Sequence, residues 1–275
     1  MTYLTFVLLF VLPPSLAVLL FAIWKRLELP RGSFLSVGVL VFVALVYTIP
    51  WDRYLIVSGV WGYPSGRVLG TLFSIPVEEL SFIILQTLGT GFWAVLLSRW
   101  IPLTPELPGE SHLRLPSERV RWLGIGIFAA ASVAGFLLMQ VGTTRYLGLL
   151  LAWSGPILLL QWAVGGHRLW RMRHLYIASI LPPTVYLWCA DRFAIAQGIW
   201  YFSPESTTGF LLLGLPLEEA LFFLLTNMMV AQGTLLSVGL LKVWHLRLQS
   251  SKQVDCLDDC ESRSAINGSS ASIRS

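Results

Sequence analysis

Residues 70–90 read GTLFSIPVEELSFIILQTLGT, and residues 209–229 read GFLLLGLPLEEALFFLLTNMM. Each is an apolar run interrupted by one proline and two adjacent glutamates. Proline favours the first position of a helix, where its missing N–H is not needed. Each run therefore reads as a membrane-spanning helix starting at Pro76 or Pro216, with Glu78-Glu79 or Glu218-Glu219 in its first turn. Two placements fit the glutamates: interfacial water at the positive helix end, or a buried cavity. A charged side chain deep in a bilayer costs about 2.5–3.5 kcal/mol and usually faces a cavity where it does work. The apolar approaches Val68–Ile75 and Gly209–Leu215 favour burial. If those approaches were helical, the spans would exceed about 30 residues, so tilt or a break at each proline is expected.

The rest of the chain agrees with a membrane setting. Of 275 residues, 55% are hydrophobic and 12% charged, half the charged fraction of an ordinary soluble domain. That surface excludes a soluble enzyme, a nucleic-acid reader and a disulfide scaffold. Seven apolar stretches are expected to span: Thr2–Trp24, Ser33–Pro50, Pro76–Leu97, Trp122–Val141, Tyr146–Val164, Leu175–Ala190 and Pro216–Leu241. The sixth is short and holds Pro182-Pro183, so a kink is expected there. Lys25-Arg26 follows a first run too long for a cleavable signal. The Ser-rich tail, residues 249–275, carries no apolar run and reads as disordered. Of the 19 Lys and Arg residues, 4 fall on the N-terminal side of this topology and 15 on the other. The positive-inside rule then places the C-terminus in the cytosol and the N-terminus outside or in a lumen.

A second repeated element lies upstream of each Pro-x-Glu-Glu. Residues 51–63 read WDRYLIVSGVWGY and residues 190–202 read ADRFAIAQGIWYF. Asp52, Arg53, Gly59 and Trp61 match Asp191, Arg192, Gly198 and Trp200. Pro76, Glu78, Glu79 and Phe82 match Pro216, Glu218, Glu219 and Phe222. The expected fold is an all-α integral membrane domain over 1–248. It is a duplicated three-helix unit, about 1–100 and 145–245, joined by a connector helix at about 119–141. Corresponding helices are four apart, so the two copies run the same way through the membrane, unlike the inverted repeats of many transporters. Both glutamate pairs then sit at one depth and converge on one cavity.

Adjacent helical residues diverge by about 100°, so only one glutamate of each pair faces the deepest wall. Gln86 and Thr87 follow Glu79 on its face, and Thr226 and Asn227 follow Glu219. Leu85 and Leu225 follow Glu78 and Glu218. Glu79 and Glu219 are therefore the leading acids, with Glu78 and Glu218 beside them. Two buried carboxyls near each other hold one of them neutral at pH 7, ready to give a proton. Trp61, Trp200, Phe82 and Phe222 stand near the motifs. Aromatic faces stabilise a cation without attacking it, although an interfacial aromatic belt explains some of the aromatic load. Asp52-Arg53 and Asp191-Arg192 are placed just outside the second and sixth helices, lining the cavity mouth or forming ordinary loop ion pairs. No Asp-rich diphosphate motif lies on a span. Gly124-x-Gly126 lies inside an apolar helix and reads as helix packing. Cys256 and Cys260 have no neighbouring His, and the four His are scattered, so no metal site and no cofactor are expected.

On these residues the chain resembles the membrane-integral lycopene cyclases, of the heterodimeric bacterial and fused fungal type. The stretches WDRYL…GVWGYP…LFSIPVEEL and ADRFA…GIWYF…PLEEALFFLLTN are closest to the cyclase region of the fungal bifunctional proteins. The resemblance implies proton-initiated ring closure at the end of a polyene without a diphosphate leaving group. It also implies an isoprenoid substrate held in membrane lipid, no nucleic acid, and an association with prenyl-chain or phytoene synthases. No phytoene synthase region follows, which leaves lycopene and a prenylated aromatic or quinoid intermediate both open. A proton-coupled transporter is the alternative for buried glutamate pairs.

The orientation is checked at the sequon Asn267-Gly268-Ser269. In a eukaryotic host it is expected to stay unglycosylated, and a glycosidase-sensitive mass shift there reverses the topology.

Overall fold

The computed structural model describes residues 1–30, 32–101 and 114–241. The tail, with its two cysteines and the sequon, lies outside the described residues. The described chain is helical throughout, apart from three two-residue strand pairs. The helices are α1 (Tyr3–Trp24), α2 (Ser33–Val57), α3 (Val77–Leu97), α4 (Arg114–Leu138), α5 (Arg145–Arg171), α6 (Arg173–Ala196) and α7 (Leu217–Leu241). Six of them are long and apolar enough to cross a membrane; α6 is not among the six. It carries Arg173, His174, Asp191 and Arg192 within its 24 residues. It is also longer than the expected sixth stretch, because the helix runs through Asp191-Arg192 rather than stopping before them.

At two of the prolines inside helices, a donor from another helix meets the carbonyl left bare. α1 widens into a π-helical turn at Val7–Val11, where Leu12 N donates to Val7 O. Such turns absorb a break in the regular ladder. Pro13 and Pro14 follow and offer no N–H, and the Phe10 carbonyl accepts from the Tyr186 hydroxyl at 2.8 Å. In α6, Pro182 has no N–H for the Ala178 carbonyl, and Trp93 Nε1 fills that place at 3.0 Å.

The approaches to Pro76 and Pro216 are hairpins, which is how the expected break is built. β2 (Thr71–Leu72) pairs antiparallel with β3 (Ile75–Pro76), and β5 (Leu211–Leu212) with β6 (Leu215–Pro216). Their two-residue turns hold positive φ at Phe73 and Ser74, and at Leu213 and Gly214, as tight hairpins require. The prolines end the strands and cap the helices that follow. The third pair joins the two halves of the chain: β1 (Trp61–Gly62) lies antiparallel to β4 (Tyr201–Phe202). Gly62 faces Tyr201, the residue that corresponds to it in the sequence repeat, and Trp61 faces Phe202, which corresponds to Tyr63. A Cβ at Gly62 would meet the hydroxyl end of the Tyr201 side chain, so glycine lets that side chain lie across the crossing.

Below these loops, α3 and α7 meet through side-chain hydrogen bonds. Gln86 Nε2 donates to Thr226 Oγ1 at 2.9 Å, Thr90 Oγ1 to Asn227 Oδ1 at 2.7 Å, and Asn227 Nδ2 to Thr184 Oγ1 at 3.0 Å. The polar face read after Glu79 and Glu219 is thus spent on joining helices. α4 packs on α5 through glycines. A Cβ at Gly135 or Gly148 would collide with the partner helix's backbone, and Gly124 lies against the Trp162 ring.

Gly148→Leu is therefore expected to destabilise the fold by about 1–3 kcal/mol or more, read as a lower melting temperature in detergent. Gly126→Ala, which opens onto free space, should leave melting unchanged.

Candidate active site

The two glutamates of each pair diverge as adjacent helical residues must. Glu78 and Glu218 turn back onto the hairpins. Leu69 N donates to Glu78 Oε1 at 2.8 Å, and Thr208 N to Glu218 Oε1 at 2.7 Å. Backbone N–H bonds to a carboxylate are among the stronger hydrogen bonds, so each glutamate ties its hairpin to the helix it precedes. Both residues are buried, and the second oxygen of each has no hydrogen-bond partner.

Glu79 and Glu219 face the other way. The Tyr3 and Tyr63 hydroxyls both donate to Glu79 Oε2, at 2.6 and 2.8 Å. The Tyr146 hydroxyl donates to Glu219 Oε1. Tyr3 opens α1 and Tyr146 opens α5, and the same kind of backbone bond places each: Tyr3 N to Arg67 O at 2.8 Å, Tyr146 N to Ser206 O at 2.9 Å. Burial, with Glu79 adjoining, raises the Tyr63 phenol well above its ordinary value, so it remains a donor.

Glu79 and Glu219 share one cavity of about 490 Å³, which Asp191 also lines. Phe82, Phe222 and Phe223 supply the helical wall, and Trp61, Tyr63, Trp200 and Phe202 the loop wall. Tyr3, Phe6 and Leu187 complete it. The rings interlock: Phe222 meets Phe223 edge-on at 5.2 Å between centroids, Trp61 meets Tyr146 edge-on at 5.4 Å, and Tyr3 stacks on Tyr63 at 5.7 Å. Trp200 Nε1 donates to Asp191 Oδ1 at 3.0 Å, while Asp191 Oδ2 is buried without a partner. The matching Trp61 Nε1 and both oxygens of Asp52 have no partner. Three carboxyls within an aromatic wall, screened from solvent, can deliver a proton, shelter a carbocation and take a proton back.

Several expected placements change. Asp52 and Asp191 are not outside their helices; they lie in the last turns of α2 and α6, each 1% exposed. The helices continue past them because Pro50 and the Pro182-Pro183 pair do not end them. Arg53 and Arg192 project outward and are exposed. Neither lines the cavity, and among the described residues no ion pair joins either to its Asp. Glu78, Glu218 and Asp52 are buried off the cavity wall. Phe73 and Tyr201, near the motifs in sequence, point outward at 71% and 56% exposure. Tyr3 and Tyr146 are on the site and were not picked out. Their signal is the dipeptide Tyr-Leu at the head of the first helix of each repeat.

The lycopene cyclase family model matches residues 1–97 and 127–233. The lycopene beta-cyclase of Halobacterium salinarum is 44% identical over 245 residues, covering 88% of this chain and 98% of its own. The chain belongs to the lycopene cyclase family. It is an isomerase-type terpene cyclase and a multi-pass membrane protein. The bifunctional lycopene cyclase/phytoene synthases of Leptosphaeria maculans and Neurospora crassa are 38% and 37% identical over 82% and 79% of this chain. Those matches cover 39% and 36% of the fungal chains. The expected likeness to the cyclase region of the fungal bifunctional proteins is thus present, beside a likeness to the archaeal cyclase over nearly its full length. No solved structure matches the chain.

Removing the phenols tests the site. A hydrogen bond to a charged group contributes about 1.5–3 kcal/mol, tenfold or more in rate. Tyr146→Phe, which strips Glu219 of its one phenol donor, should lower ring-closing turnover by about that factor. Tyr3→Phe should cost less, because Tyr63 still holds Glu79. Equal losses from the two changes would dissociate the phenols from the carboxyl geometry.

Proposed function

We propose that this cyclase closes a ring at the end of lycopene, starting with proton transfer from Glu79 or Glu219. The observation that carries the reading is that these two carboxyls, 140 residues apart in sequence, face one aromatic-walled cavity. The full-length likeness to the archaeal lycopene beta-cyclase supports the substrate.

A protonated carboxyl gives its proton to the terminal carbon–carbon double bond, leaving a tertiary cation. The electron pair of the next double bond in reach attacks that cation and closes the ring. The positive charge then lies on a ring carbon faced by Phe82, Phe222 and Trp61. A proton leaves the neighbouring carbon for a carboxylate, and a ring double bond forms. Asp191, with one oxygen unpartnered and the other held by Trp200, is placed to accept it. One proton enters and one leaves, so the step is an isomerisation without oxidant or reductant. Exclusion of water keeps the cation from being trapped as an alcohol.

The membrane frame of the proposal is a parallel duplication with α6 as a seventh span and the C-terminus in the cytosol. Its support is the recurrence of hairpin, buried glutamate, tyrosine and aspartate in both halves, and the β1–β4 pairing in which Gly62 meets its own counterpart.

Glu79→Gln and Glu219→Gln keep size and polarity but remove the acid. Expressed in lycopene-making cells at matched protein levels, one of them should abolish ring-closed product. General acid catalysis contributes about 10²–10⁴-fold, and protonating carbon lies at the upper end or beyond. Glu78→Gln and Glu218→Gln keep the oxygen that accepts the hairpin N–H and should hurt less. If all four retain more than about a tenth of parent turnover, a loss far below that range, the carboxyls are not the proton source.

A further inference from the structure

Two more hollows flank the central cavity, and they correspond position by position. One lies between α1, α3 and α6, with Phe10, Val18, Gly89, Pro182, Tyr186 and Leu187 among its walls. The other lies between α2, α5 and α7, and at the corresponding places carries Trp153, Gln161, Met229, Val43, Tyr47 and Thr48. A tyrosine-to-carbonyl bond recurs in both: Tyr186 to Phe10 O at 2.8 Å, Tyr47 to Trp153 O at 2.7 Å.

The two have diverged in a way that bears on what they hold. In the α1/α3/α6 groove the side-chain donors are turned into the protein. Ser15 Oγ donates to Val11 O and Leu85 O, Thr90 Oγ1 to Asn227, Gln86 Nε2 to Thr226, Trp93 Nε1 to Ala178 O, and Tyr186 to Phe10 O. What faces the hollow is hydrocarbon. Gly89, packed against Ser15 of α1, stands where the other groove has Met229, and the empty space is about 790 Å³ against about 640 Å³. In the second groove Gln161 Oε1 is buried with no donor, where the first has Val18. An apolar chain there would leave that oxygen unsatisfied, at a cost.

Both grooves abut the reaction cavity, the first through Leu187 and the second through Phe222. What sets the first groove under Glu79 is the helix register. Glu79, Gln86, Thr90 and Trp93 fall within one narrow face of α3, since seven, eleven and fourteen residues are near whole turns. The groove therefore runs down from Glu79, reaching Trp93 about 21 Å along the helix at 1.5 Å per residue. On the side away from the core, Pro182 and Tyr186 are exposed, so it opens laterally.

We propose that the α1/α3/α6 groove holds the unreacted length of the polyene, with its reacting end under Glu79, and that the α2/α5/α7 groove does not. The proposal rests on the cyclase reading for the identity of the chain. The groove surface suits a lipid acyl chain by the same chemistry, and the experiment separates the two occupants.

Val18→Trp and Pro182→Trp fill the first groove; Val43→Trp fills the second at the position matching Pro182. In lycopene-making cells, each of the first two should lower ring-closed product by about tenfold or more, the scale of steric discrimination in an apolar pocket. Val43→Trp should stay within about twofold of parent, as exposed substitutions do. The same three changes are then placed in the Glu79→Gln chain, and lycopene co-purifying with the full-length detergent-solubilised protein is extracted and quantified per mole. Val18→Trp and Pro182→Trp should strip the lycopene, and Val43→Trp should keep it. Loss of bound lycopene on filling the first groove, in a parent that closes no ring, overturns the cyclase reading and leaves the groove standing. A parent that closes rings while the first-groove variants match it in both assays overturns the groove and assigns it to lipid. Equal damage from Val43→Trp overturns the assignment to one groove. Should Val18→Trp fail to accumulate, Pro182→Trp, at an exposed position, decides.

Discussion

A carboxyl inside an apolar interior must be given partners, because an unpartnered charge there is among the costliest features a fold can carry. This chain gathers six around one centre, Asp52, Glu78, Glu79, Asp191, Glu218 and Glu219; all but Glu79 are buried, and all but Asp52 have a hydrogen-bond donor. Much of its irregular structure follows from meeting that demand. The β2/β3 and β5/β6 hairpins bring Leu69 and Thr208 N–H groups to Glu78 and Glu218. Tyr3 and Tyr146 sit at the heads of α1 and α5, so helix placement and carboxyl partnering are one event. Trp200 reaches Asp191 from the loop that β1 and β4 pin together. Moving any of these elements would strand a carboxyl.

The sequence displayed the demand more clearly than the means of meeting it. The glutamate pairs, the repeat and the helical divergence within each pair were legible because they depend on spacing alone. Apolar length gave the helices but misjudged several ends, at α2, α4, α5 and α6. Pro50 and Asp52-Arg53 look like the close of a span, yet α2 runs on to Val57, since a donor from elsewhere can serve a carbonyl that proline leaves bare. Trp93 does this for Ala178 in α6. Such help crosses about 85 residues of sequence, and no local pattern announces it. The hairpins were hidden for a different reason. Leu69–Ile75 and Phe210–Leu215 are as apolar as a helix, and only the tertiary site shows that their backbone is needed as a donor. Tyr3 and Tyr146 escaped because a tyrosine in an apolar run reads as core until its hydroxyl is seen to have a partner.

Each element of the site occurs twice along the chain, and the two occurrences do not keep the same surroundings. Asp191 holds an indole that the corresponding Asp52 lacks. Glu79 has two phenols and Glu219 one. Gly89, against Ser15, and Met229 stand at matching places in the two grooves. Near-symmetry fixes the frame through β1–β4 and the Gln86–Thr226–Asn227 bonds, while the departures from it give the two sides unequal tasks. On the proposed function, a substrate whose two ends are alike is met by a protein whose two halves are not.

The clustering of carboxyls in one aromatic-walled cavity has a consequence for proton traffic. On the proposed mechanism, each ring closure withdraws a proton from one member and returns a proton to another within the same aromatic shell. The cluster's total charge is then the same before and after the reaction, even though its proton has changed address. Resetting the site is then a proton return within the one cavity that Asp191, Glu79 and Glu219 line. The interior can stay dry from one turnover to the next, and the enzyme draws nothing from the electrochemical gradient of the membrane in which it sits.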